Sequence, residues 1–264
     1  MPSTKIAVDR YESLRIFDCH GHCGPCRKFF SANAGSIESM IEVMDRSGIE
    51  RLVFSSMLAL YYDERVGNRE MMSAVERYPG RLFGYVALRP GSGEQFQIDE
   101  LEAYREVPGI AGVKIHPGLH ETRPTDPGYD PIYSFCAESG YPLLSHTWGE
   151  SDIEDFDRVL SRFPRLRLIL GHAGGPSRRA LERACDLAYR YDEVYLDITC
   201  SRTVAGLIEW MAGRAPVQRI LFGSDIPFID PRPAVGLVLY ARVTDAVREA
   251  IFFENADRLY NLVR

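Results

Sequence analysis

No apolar stretch in the 264-residue sequence is long enough to span a bilayer, and its first residues do not read as a signal peptide. No lysine- and arginine-rich run interrupts a formal net charge of −6, which argues against a general nucleic-acid binder. No Gly-x-Gly-x-x-Gly follows the first strand-like segment, so an open dinucleotide-binding sheet lacks its fingerprint. The six cysteines (Cys19, Cys23, Cys26, Cys136, Cys185, Cys200) are scattered rather than arranged as a disulfide framework. Reduced thiols in a cytoplasmic protein are the expectation. Cys23-Gly-Pro-Cys26 stands alone: no second Cys-x-x-Cys or histidine pair completes a structural zinc site. It also lies in a Gly/Pro loop, where a redox pair wants a helix start. It reads as a loop above the first strand.

What is present is the composition of a soluble globular protein, 45% hydrophobic and 26% charged. After a polar lead-in over residues 1–13, continuous apolar runs alternate with segments of helical periodicity. Strands are expected at 16–22, 51–57, 82–88, 110–116, 142–146, 166–172, 194–199 and 219–225. Helices are expected at 36–48, 68–78, 98–107, 132–139, 153–163, 178–191 and 203–213, and in the tail from 232 to 264 with a break near Val243-Thr244. Strands without polar alternation are buried on both faces, which means a parallel sheet covered by helices. Eight such units in about 250 residues make an α/β protein of the (β/α)8 TIM-barrel type, read as one domain over 1–264 with the helices from about 232 packed on the barrel.

Barrel chemistry sits at the C-terminal ends of the strands. Ile16-Phe-Asp-Cys-His-Gly-His22 ends in two histidines that share a strand face, so His20 and His22 project side by side. His116, His146 and His172 end the expected fourth, fifth and sixth strands, and Asp225 ends the eighth. Only His120 falls elsewhere, in a polar Gly/Pro/Thr loop, and is expected to be exposed. Two imidazoles on one rigid strand end are most of a three-ligand catalytic metal site. Lys114 shares a strand face with His116, so both should point into the barrel. Asp18 should lie on the face of His20 one step deeper, as support for it or as a buried structural carboxylate. Thr147, Trp148, Tyr61, Tyr62 and Phe228 are candidate pocket walls. Arg89 and Arg123 are expected to be solvated surface residues, although either has the chemistry to hold a carboxylate.

Asp-x-His-x-His on the first strand, a histidine on the fifth, Gly-His-Ala-Gly-Gly on the sixth and Phe-Gly-Ser-Asp-x-Pro on the eighth resemble the amidohydrolase superfamily. They are most similar to its family 2 branch, which includes aminocarboxymuconate-semialdehyde decarboxylase and related aromatic-acid decarboxylases. The tail Phe253-Glu-Asn-Ala-Asp-Arg-Leu-Tyr260 extends the resemblance over essentially the whole chain. The resemblance also accounts for Gly174-Gly175, which only superficially looks like a phosphate cradle.

The resemblance implies His20, His22 and His146 as metal ligands, Asp225 as ligand or proton carrier, and His172 as the histidine working beside the activated water. One divalent ion is expected, zinc first and manganese second, since three histidines and an aspartate form a borderline nitrogen/oxygen set. Such an ion brings the pKa of bound water towards about 7 and polarises a carbonyl oxygen. Lys114, His116 and Trp148 are the candidate substrate contacts. In binuclear relatives a carbamylated lysine on this strand bridges two metals; a single metal is preferred here, with Lys114 in a buried charge pair or on a substrate anion. The expected activity is hydrolysis of a small lactone, amide or ester. Non-oxidative decarboxylation of a small unsaturated or aromatic acid is the alternative, and an inactive metal-binding or interaction protein on the same barrel is the reading from another class. The partner is a small molecule, with neither nucleic acid nor membrane, and a homodimer through the C-terminal helices is the expected assembly if there is one.

Overall fold

A computed structural model describes residues 14–26, 35–199 and 204–260. The expected lead-in over 1–13, Cys200 and the start of the helix expected from Thr203 lie outside the described residues. Eight parallel strands follow one another around the sheet: β1 Ile16–Cys23, β2 Ile49–Ser56, β3 Leu82–Ala87, β4 Ile110–Ile115, β5 Leu143–His146, β6 Leu168–Gly171, β7 Val194–Asp197 and β8 Ile220–Leu221. The ring is joined between its first and last members by Cys19 N–H to the Phe222 carbonyl at 2.9 Å, His22 N–H to the Ile226 carbonyl at 2.8 Å and Asp225 N–H to the His20 carbonyl at 2.8 Å. The expected (β/α)8 barrel is the fold, and the seam that closes it carries the motif residues of both ends of the chain.

The intervening helices are α1 Ile37–Ser47, α2 Met57–Tyr61, α3 Glu64–Arg77, α4 Glu94–Tyr104, α5 Asp130–Ser139, α6 Glu150–Arg162, α7 Arg178–Arg190 and α8 Leu207–Ala212. The tail forms α9 Arg232–Leu239, α10 Asp245–Glu249, a π-helical turn Ala250–Glu254 and α11 Asn255–Tyr260. Local chemistry explains the bounds. The Ser36 hydroxyl accepts the Ser39 N–H at the start of α1, and Gly48, at φ 69°, ends it in the left-handed region that glycine enters without strain. Asp63 caps Val66 N–H, so α3 begins four residues before the expected Asn68. Ser56 caps Leu58 N–H and turns the expected end of β2 at Met57 into the short helix α2. β8 is only two residues long where seven were expected, because Phe222 N–H goes to the Ile251 carbonyl in the π turn and Asp225 adopts φ 69°. No helix of the described residues is long and apolar enough to cross a membrane.

Two cores result. One lies between strands and helices, built from residues such as Met40, Leu52, Leu82, Val113, Phe156, Leu168, Ala184 and Leu196. The other fills the barrel interior below the mouth: Phe17, Val53, Phe83, Tyr85, Leu144, Ile169 and Leu221 from the strands, plugged by Phe253, Leu259 and Tyr260 from the tail. The Phe17 ring stands 5.5–6.0 Å from those of Phe83, Phe253 and Tyr260, in the tilted contacts that aromatic quadrupoles favour. This plug leaves the opposite end of the interior as the place for polar groups.

Candidate metal centre at the barrel mouth

The centre begins with a fault in β1. Asp18 faces Leu52 but Gly21 faces Phe54, three steps along β1 against two along β2. An extra residue of this kind interrupts strict alternation and re-aims the side chains beyond it. Cys19 therefore packs in the interior plug while the adjacent His20, and His22 after it, line the mouth. Asp18 does not simply repeat the face of His20 one step deeper. Its Oδ1 accepts the His20 N–H at 3.0 Å and the Ser224 N–H at 3.1 Å, and its Oδ2 accepts the Ser224 hydroxyl. It thus pins the segment before Asp225 onto the segment before His22. Burial pushes Asp18 up to about 8, against these hydrogen bonds.

His20, His22 and Asp225 are buried, and each offers one ligand atom within 4.8 Å of the others. His22 Nε2 is 3.0 Å from Asp225 Oδ1, and His20 Nε2 is 3.7 Å from the same oxygen. The far nitrogens are fastened from behind. His20 Nδ1 meets Asp197 Oδ2 at 2.6 Å and His22 Nδ1 meets the Ser55 hydroxyl at 3.1 Å. An imidazole held at Nδ1 by a carboxylate keeps its Nε2 lone pair for a cation, the arrangement that orients histidine ligands. Burial and the charge of Lys114 hold His20 neutral, well below its usual range. Burial alone would raise Asp225, but the hydrogen bond from His22 and the surrounding imidazoles keep it well below the usual carboxylate range. Two imidazole nitrogens and a carboxylate oxygen converging at this range form a donor set that fits a divalent ion.

The other predicted residues surround this cluster. His172 and Asp225 both occupy the left-handed region, at φ 60° and 69°, a conformation that non-glycine residues adopt only where the surroundings over-determine it. The rings of His172 and His20 are 5.1 Å apart, and burial lowers His172 to about 4. His146 stands outside the three-residue cluster among the described residues; its ring stacks on His116 at 3.9 Å and on Trp148 at 5.7 Å. Leu119 N–H donates to His116 Nδ1 at 3.2 Å, which leaves the His116 ring proton on Nε2. Lys114 is fully buried with Nζ 3.0 Å from His20 Nε2, and burial draws it down to about 8 against Asp225 and Asp197. His116, His172 and Asp225 lie just past their strands rather than on them.

A cavity of about 520 Å³ opens above the cluster. His22, His172 and Asp225 reach it from below; Met57, Tyr61, Leu119, Trp148 and Phe228 form much of its apolar wall, and Cys26 and His116 also border it. No lysine or arginine borders it among the described residues. Tyr62 is not part of the wall but 68% exposed, and Thr147 serves the backbone instead, bonding the Gly171 carbonyl and Gly174 N–H. Gly175 lies under Trp148, whose ring atoms come within 2.9 Å of where a Cβ would be.

Three expectations need correction. His120 is not exposed: it is largely buried, its Nδ1 is 2.8 Å from the Tyr129 hydroxyl, and burial lowers it to about 4. The loop after β4 folds over the barrel rim, which its polar composition did not disclose. Arg89 and Arg123 are not merely solvated. Arg89 donates to the buried Glu64 at 2.7 Å, and Arg123 grips the buried Asp155 with two bonds of 2.7 and 2.6 Å. Asp197, which orients His20, was missed. It ends β7, two residues before that strand's expected end at Thr199, so the strand-end rule did not single it out. Thr199 N–H and its hydroxyl hold Asp197 Oδ1, and Gly223 is required beside it, since a Cβ there would fall 2.0 Å from that oxygen.

Fold and site together define an enzyme-type TIM barrel with a metal-competent mouth. The profile of the family described as Amidohydrolase matches residues 17–262, and the chain belongs to that family, whose members are metal-dependent hydrolases and decarboxylases. Solved structures share the fold across nearly their full length. An uncharacterized TIM-barrel protein from Bordetella bronchiseptica is 21% identical, with 94% of this chain and 99% of that one covered and a TM-score of 0.74. For 2,6-dihydroxybenzoate decarboxylase from Rhizobium the identity is 15%, the coverage 94% and 99%, and the TM-score 0.76. For a probable 2-pyrone-4,6-dicarboxylic acid hydrolase from Acinetobacter baumannii the values are 14%, 93% and 99%, and 0.70. No functionally curated protein matches the sequence.

Proposed function

We propose that the chain is a metal-dependent hydrolase of a small, largely apolar lactone, ester or amide. The observation that carries this reading is that Asp225, one of the three clustered ligand candidates, borders the cavity beside His172 and so brings a carboxylate base to the place where water would attack. Hydrolysis needs a group to take a proton from water, whereas decarboxylation needs one that arrives protonated at carbon. His20, His22 and Asp225 would hold one divalent ion, zinc before manganese, with His146 as the remaining ligand. Bound there, the ion would polarise a carbonyl and acidify water. Asp225 accepts the proton of the attacking water. His172 donates a hydrogen bond to the developing oxyanion, and its lowered basicity keeps it in the neutral form that does so without a prior charge. The His116 Nε2–H, fixed by Leu119, is placed to hold a second oxygen of the substrate, and the Trp148 indole supplies a flat wall. Lys114 supplies positive charge beneath His20 from within the barrel rather than from the cavity wall.

Decarboxylation keeps one observation in its favour, the largely apolar cavity without a lysine or arginine among the described residues, which would disfavour a bound carboxylate relative to its neutral product. The decisive experiment measures metal content, then challenges zinc- and manganese-loaded protein with two panels. One holds lactones, esters and anilides; the other holds hydroxybenzoates and unsaturated acids followed by CO₂ release. Turnover of the first panel alone, lost in His172→Asn with metal retained, is the expected result. CO₂ release without hydrolysis would replace the reading by its alternative, and metal bound with neither activity would favour an inactive binding protein.

A further inference from the structure

A second cleft of about 380 Å³ lies beside the catalytic cavity, and Tyr61 and Leu119 line both. Its other walls come from the loops after β3 and β4, which bring Arg89, His120 and Thr122 to it. No acidic side chain borders the cleft, and Arg89 is its only cation among the described residues. Glu64 engages a single Arg89 nitrogen, Nη2 at 2.7 Å, and splits its attention, because its other oxygen accepts the Ser92 hydroxyl. Arg89 Nε is buried and has no hydrogen-bond partner, a costly condition for a guanidinium N–H. His120 is anchored by Tyr129.

We infer that this cleft is a carboxylate-binding subsite, so that the natural substrate is a carbonyl compound with a carboxylate at its far end. The inference rests on the hydrolase reading for the reacting end only. The carbonyl lies over Asp225 and His172, an apolar middle passes Tyr61 and Leu119, and the carboxylate meets Arg89. This division matches the linings: among the described residues the catalytic cavity has no lysine or arginine to hold an anionic tail, and the adjoining cleft has Arg89.

Two esters that differ only at the far end, methyl hexanoate and monomethyl adipate, test the idea in turnover. Wild-type enzyme should prefer the adipate by roughly ten- to a hundredfold in kcat/KM, the worth of a charge-assisted hydrogen bond. In Arg89→Gln that preference should vanish through KM, with methyl hexanoate turned over as before. Binding of 4-fluorobenzoate to the same proteins, followed by ¹⁹F NMR, reads the cleft without any chemistry. Because Arg89→Gln leaves Glu64 buried without its cation, the double variant Glu64→Gln/Arg89→Gln is measured beside it. Loss of fluorobenzoate binding in the folded double variant supports the subsite even if neither ester is hydrolysed, an outcome that overturns only the hydrolase reading. Unchanged binding in the double variant, or an unchanged ester preference, overturns the subsite.

Discussion

The barrel interior is divided into two ends that obey opposite rules. The plug end is apolar and aromatic, with Phe17, Phe83, Phe253 and Tyr260 filling space against one another and the Tyr85 hydroxyl bonded to the Cys19 carbonyl and the Tyr260 hydroxyl. The mouth end buries His20, His22, Lys114, Asp197 and Asp225 within one cluster. Both ends bury their side chains, yet only one was assembled from groups that lose by being buried. Burial at the plug stabilises through area removed from water. Burial at the mouth is tolerated because each charge or lone pair has a neighbour, and it leaves the His20 imidazole neutral and the Asp225 carboxylate ionised. The plug holds the barrel; the mouth spends stability on chemistry.

Changes at the two ends should therefore separate in their readouts. The largest effect is expected from His22→Ala: metal content should fall from about one equivalent towards none and turnover by roughly three orders of magnitude, while the metal-free melting temperature changes little. Retained metal and activity would remove His22 from the centre. At the plug, Phe17→Ala should cost about 3–5 kcal/mol of stability by denaturant titration and leave kcat/KM of the folded protein unchanged. A loss of kcat/KM there would mean that the two ends are mechanically coupled. Asp197→Asn touches the mouth without touching the cavity, and should weaken metal binding by about 10–100-fold through misorientation of His20, measured by competition with a chelator. The smallest effect concerns acid. His120 titrates near 4 in the fold against an ordinary 6.5, so between these values the unfolded chain binds a proton that the folded one refuses. Stability of the metal-free protein should then fall as pH drops from about 6.5 to about 4, and His120→Gln should flatten that slope in thermal melts. A slope unchanged in the variant would assign the acid sensitivity to other groups.

The alternation of apolar runs and helical segments was enough to read the eight-stranded barrel, and the strand-end rule was enough to bring His20, His22, His172 and Asp225 to one mouth. The rest was hidden for physical reasons. The fault in β1 that puts Cys19 in the plug and His20 beside the cavity depends on how β1 pairs with β2, and pairing is a property of two strands. Asp197 carries no local motif; its value lies in a bond to a residue 177 positions away. His120 and Arg89 sit in polar loops whose composition signals water, but loops folded over a barrel rim bury what they carry.

By itself, then, the sequence determined the order of strands and helices and which end of the barrel holds the histidines, because both follow from periodicity and from the direction of each strand. The tertiary structure decided which imidazole nitrogen is held and which is presented, and which of the polar loop residues face solvent. It also put a second cleft, bordered by Arg89, against the first, since such outcomes depend on contacts between elements far apart in the chain.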